Sequence, residues 1–76
     1  MITVKLYGLL RIESGIRDQH MQAETMKDVL RSLSDHGISH TELNSCVLLV
    51  NGIPASKRSK LKDGDTVVLM SPVAGG

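Results

Sequence analysis

The chain has 76 residues, 41% hydrophobic and 22% charged, with a formal net charge of +1 at pH 7. That length allows one domain near the lower limit for folding on a single core, and the near-neutral balance excludes strong electrostatic attraction to nucleic acid or an acidic membrane as the main activity. The lone cysteine, Cys46, excludes the internal disulfide framework of small secreted domains, so a reducing cytoplasm is the expected location.

"MITVKLYGLL" opens the chain with alternation and without a basic leader or long apolar run, so no signal peptide is expected. No stretch approaches the roughly 18 apolar residues of a membrane span. Trp and Phe are absent, which leaves Leu, Val, Ile and Met to build the core. In "ITVKLY", Ile2, Val4 and Leu6 point one way while Thr3, Lys5 and Tyr7 point the other, the pattern of a half-buried strand. Gly8 and Gly15 bracket an expected turn region holding Leu9, Leu10 and Arg11, and "IRDQHMQA" reads as an edge strand.

"ETMKDVLRSLSDHG" predicts a helix over about 26–36. Thr25 is its N-cap, and Asp28 stands three residues on, where a carboxylate supports the first-turn donors. Met26, Val29, Leu30 and Leu33 form one apolar stripe, Gly37 suits a left-handed C-terminal position, and His36 suits the negative end of the dipole. "ISHTELNS" is polar and connecting, with room for one short helical turn. "CVLLV" followed by "NG" predicts a strand and a tight turn, and Pro54 keeps the short "IPAS" strand away from the centre of a sheet. "KRSKLKDGD" is a charged loop anchored by Leu61 and turning at Asp63-Gly64; "TVVLM" is the last strand, ended by Pro72.

One helix of this length covers one face of one small mixed sheet, with the first and last strands side by side in its middle. If Val67 and Leu69 face the helix, Val68 and Met70 face away, and an apolar outer face suggests either a covered surface or a partner. Residues 1–71 form the domain; 72–76 are expected to be a flexible tail, able to reach about 17 Å when extended.

Internal chemistry is sparse. His36 and His40 share a metal-binding spacing, but Gly37 interrupts the helix and no further ligand completes a set, so no metal is expected. Cys46 has no activating base nearby in sequence and reads as a small core residue. Asp63 and Asp65 read as turn residues. Gly8 and Gly15 lack the "GK[ST]" of a phosphate loop. Lys57, Arg58, Lys60 and Lys62 read either as a solvated loop or as a docking patch for an acidic partner.

The tail "SPVAGG" offers more. A diglycine end can be drawn into a slot too narrow for any side chain, and it leaves the terminal acyl carbon unshielded. Its carboxyl, with an ordinary pKa of about 3.5, is ionised at pH 7 and is a poor electrophile until a partner activates it. An acyl-adenylate made from ATP would then accept sulfur, giving a thiocarboxylate, or an amine, giving an amide.

"VNG", then "LKDGDTVVLMSPVAGG", resembles the closing half of the ubiquitin-like sulfur carriers, the MoaD/ThiS group, and most of all the small subunit of molybdopterin synthase. "VKLYGLLRI" and "TMKDVLRSL" fall where that family has its first strand and helix. The resemblance implies an α+β, ubiquitin-like β-grasp fold with one main helix on one face of a small mixed sheet. It also implies adenylation of Gly76 by a ubiquitin-activating-like enzyme that uses ATP, conversion to a thiocarboxylate with a sulfur donor system, and sulfur transfer inside a large synthase subunit to a cyclic pterin phosphate. The carrier itself would be no enzyme and would bind no cofactor. Pro72, Val73, Ala74 and Gly75 carry over as the threaded segment, with Val68 and Met70 as a possible docking face. Delivery of sulfur for thiamine, cysteine or transfer-RNA thiolation, or conjugation to proteins through Gly76, would need a very similar molecule. Leu69 and Met70 stand where family members often place aromatics, and Ser71 stands before Pro72 where a second proline is common.

Overall fold

The computed structural model of the chain describes residues 1–71, the side chains of Leu9 and Glu13 excepted. Five strands form one mixed sheet: β1 (Ile2–Tyr7), β2 (Gln19–Met21), β3 (Val47–Val50), β4 (Ile53–Pro54) and β5 (Thr66–Met70), in the spatial order β2-β1-β5-β3-β4. Between them run α1 (Leu9–Ser14), α2 (Met26–Asp35) and α3 (His40–Ser45). β1 and β5 pair in parallel at the centre, Leu6 opposite Leu69 and Tyr7 opposite Met70, as expected from their strong β signals. β2 and β4 are the edges, and Pro54, which has no N–H for a ladder, sits on one of them.

The alternation in β1 and β5 decides what the sheet buries. Ile2, Val4, Leu6, Val67 and Leu69 are buried on one face, and Met26, Val29, Leu30 and Leu33 of α2 close over them. Ile38, Leu43, Leu48 and Leu61 complete the core, so Leu61 is the anchor of the charged loop. α2 begins with a full capping box. Thr25 Oγ1 accepts from the Asp28 N–H at 3.4 Å, while Asp28 Oδ2 accepts from the Thr25 N–H at 3.2 Å and the Glu24 N–H at 3.1 Å. These donors, Glu24 first, hold the Asp28 carboxyl below the ordinary carboxylate range. At the other end the His36 ring nitrogen Nδ1 lies 2.8 Å from the Ser32 carbonyl, and Gly37 adopts φ 102°. The expected helix is thus present, one residue shorter at its C-terminus.

The turn between β3 and β4 has Asn51 at φ 51° and Gly52 at φ 82°, the positive pair that a type I′ hairpin requires. One expectation is overturned. The stretch between Gly8 and Gly15 is no turn but the helix α1, ended by Gly15 in the left-handed region with its N–H on the Arg11 carbonyl at 3.1 Å. Leu10 is buried from it, whereas Ile12 is 76% exposed. Six residues with apolar positions on different sides give no helical periodicity for a sequence reading to detect.

Candidate functional site: the tail root and the outer sheet face

The expected tail residues Pro72, Val73, Ala74, Gly75 and Gly76 lie outside the described residues. The structure does place the point from which they depart. β5 runs between β1 and β3, with Tyr7 and Val47 both opposite Met70. The chain therefore reaches Ser71 at the end of the sheet where β1 gives way to α1. There the Ser71 N–H meets the Tyr7 carbonyl at a long 3.5 Å, and the Ser71 hydroxyl accepts from the Leu10 N–H at 3.1 Å.

The sheet face opposite α2 is apolar beside this point. Tyr7, Met70 and Val47 form one row across three strands and are 40%, 38% and 48% exposed. Lys5, Val68, Leu49 and Pro54 form the next row, with Val68 and Leu49 half-buried. Farther from the tail the face turns polar. Thr3 lies opposite Thr66 and approaches His20 Nδ1 at 3.2 Å, while Asn51 bonds both the Thr66 N–H and the Asp65 carboxylate. Parity thus places Val68 and Met70 outward as expected, and the structure adds Tyr7 and Val47, whose own outward parity was visible in the sequence.

Other candidate groups do not converge. His36 and His40 are each engaged locally, His40 Nε2 at 3.3 Å from Ser34 Oγ, and the described residues contain no group of three or more His, Cys, Asp and Glu placed to hold a metal. The Cys46 thiol is half-buried with Sγ 3.1 Å from the Glu42 carbonyl; burial and the Glu42 charge push its pKa up, opposite to what a nucleophile needs. Asp65 is a turn residue. Its carboxylate accepts from the Lys62 N–H at 2.8 Å and the Asn51 amide at 3.0 Å, which hold its pKa below the ordinary range. The basic loop is divided. Lys57 bonds Asn44 Oδ1 and lines a cleft with Lys27, Arg31 and His40, whereas Lys60 and Lys62 line a separate one beside β4.

The chain resembles known proteins in sequence pattern and in fold. The model of the ThiS family matches residues 4–76. No curated protein matches the chain. Among solved structures, SAMP1 from Haloferax volcanii superposes with a TM-score of 0.79 at 23% identity, covering 99% of this chain and 98% of its own. The small archaeal modifier protein 1 (SAMP1) from Methanosarcina acetivorans gives 0.78 at 29% identity, with 99% and 95% covered. A chain from the complex of subunits 1 and 2 of the molybdopterin-converting factor of Helicobacter pylori gives 0.76 at 24% identity, with 99% and 97% covered. The fold is that of the ubiquitin-like β-grasp proteins.

Proposed function

Because the chain belongs to the ThiS family of ubiquitin-like carriers and modifiers, we propose that it is a sulfur carrier acting through its terminal glycine, and that its sulfur serves molybdopterin assembly. Support comes from position: the family match runs through Gly76, while the central strand delivers the chain to Ser71 beside an outward apolar strip. An ionised carboxylate resists nucleophilic attack, so the chemistry needs a partner. A Gly76 carboxylate oxygen attacks the α-phosphorus of ATP and displaces pyrophosphate. Hydrosulfide from a donor system then attacks the acyl carbon, displaces AMP and loses its proton, leaving a thiocarboxylate. In a large synthase subunit that sulfur passes to a cyclic pterin phosphate, and hydrolysis restores the carboxylate.

The carrier contributes recognition. Glycines at 75 and 76 let the main chain enter a slot that a Cβ would obstruct. Pro72, Val73 and Ala74 are the threaded segment, and Val68 and Met70, with Tyr7 and Val47 beside them, are the surface against which the activating enzyme and the synthase subunit would seat. Base, oxyanion donors and ATP site belong to those partners, and a reducing cytoplasm suits the thiocarboxylate.

A second reading is favoured by the kinship with the Methanosarcina acetivorans modifier protein: the activated carbonyl of Gly76 would accept a lysine amine and form an isopeptide bond. One experiment separates the two. Protein recovered with its activating enzyme, ATP and a sulfur donor should gain the mass of one oxygen-to-sulfur exchange, and adding the synthase subunit and pterin precursor should consume it. Ladders of conjugates on cellular proteins, without the thiocarboxylate, would support the modifier. An end that stays unmodified under every condition, with Gly76 deletion harmless, would refute both.

A further inference from the structure

α1 starts without a cap of its own. Its N-cap residue is Gly8, which has no side chain to accept from the first turn and adopts φ 73°, ψ −151°, a region essentially restricted to glycine. The missing acceptor comes from the far end of the chain: Ser71 Oγ takes the Leu10 N–H at 3.1 Å, across 61 positions of sequence. Gly8 leaves room for it, because a Cβ there would lie 2.7 Å from Ser71 Oγ and 3.3 Å from the Ser71 carbonyl oxygen. The half-buried Ser71 is thereby tied twice, by its N–H to β1 and by its hydroxyl to α1.

We propose that Ser71 is a positioning residue for the carrier reaction: its hydroxyl clasps the root of the tail to α1, so that Ser71 is already held in place before a partner enzyme takes the end of the chain. This inference rests on the carrier reading. Releasing the clasp frees Ser71 in the unbound protein, so that binding must order it, and ordering a residue carries an entropic cost. Catalysis on the bound end is untouched.

The test uses the full-length protein as substrate of its activating enzyme. Ser71→Ala is expected to raise the KM for the carrier about fivefold with kcat unchanged, the cost of ordering one further backbone unit. Ser71→Thr, which keeps the hydroxyl, should stay near the wild type. Gly8→Ala, which both pushes the hydroxyl away and strains a backbone region reserved to glycine, should raise the KM at least as far. Amide exchange at Leu10, measured on the free protein, should quicken in Ser71→Ala. A KM equal to that of the wild type, or a Leu10 amide that exchanges no faster, would overturn the proposal. A wild-type chain that is never activated would instead refute the carrier reading, and Leu10 exchange would still report on the clasp.

Discussion

Leu69 and Met70 are neighbours on the central strand, and they should fail in different ways when truncated. Leu69 is fully buried opposite Leu6 and Leu48, in the middle of the core. Leu69→Ala there removes three methyl or methylene-sized groups from a close-packed site and leaves a cavity, at a cost of about 3 kcal/mol. A domain of 76 residues has a total stability of about 4–11 kcal/mol, so the loss is a large fraction of it. Thermal midpoints of small domains move by 4–8 °C per kcal/mol, which puts the fall at roughly 12–24 °C. Met70 is 38% exposed on the other face, and Met70→Ala should cost less than about 1 kcal/mol. On the proposed carrier reading it should, however, weaken capture by the activating enzyme, since it removes the side chain at the centre of the outward row. Far-UV circular dichroism during heating and urea titration suits a chain with one tyrosine and no tryptophan. Equal destabilisation by the two substitutions, or a Leu69→Ala loss under about 1 kcal/mol, would refute the two-faced account of the sheet.

Three further outcomes are expected. Asp28 and Asp65 have folded-state pKa values below the ordinary carboxylate range, so on acidification the unfolded chain takes up protons first. Their stabilisation should be present above the ordinary value of about 3.9 and be lost as pH falls through their lower folded values; melts from neutral pH down to strong acid should show a fall that Asp28→Asn and Asp65→Asn each reduce. The thiol of Cys46, raised by burial and by Glu42, should be alkylated more slowly than a free cysteine, and Glu42→Gln should speed it; a rate at or above that of free cysteine would contradict the buried placement. Gly52 stands at φ 82° in the β3–β4 turn, and Gly52→Ala should cost about 1 kcal/mol in urea unfolding, whereas a neutral result would mean that the turn relaxes to another type.

Most of the fold was legible because its signals are local and redundant. Thr25 and Asp28 mark one end of α2, Gly37 the other, and strict alternation in β1 and β5 gives both their pairing position and the sides on which Leu69 and Met70 fall. The same parity carried the candidate surface, since Val68 and Met70 are outward because Val67 and Leu69 are inward. α1 was not legible for a physical reason. It is too short for periodicity, and its cap is supplied by Ser71, so the interaction that starts it does not exist in its own stretch of sequence. Ser71 was visible only as a residue out of keeping with the family's usual tail. Of the two readings of the basic loop, a single docking patch fits less well: Lys57, Lys60 and Lys62 are close in sequence, yet the loop turns them toward different clefts.

β5, at the middle of the sheet, follows every other strand in the chain. Until β5 slots between β1 and β3, the sheet is two separate antiparallel pairs, β2-β1 and β3-β4, and α2 lacks Val67 and Leu69 beneath it. A chain cut short before β5 would therefore lose the centre of its sheet and not merely an edge.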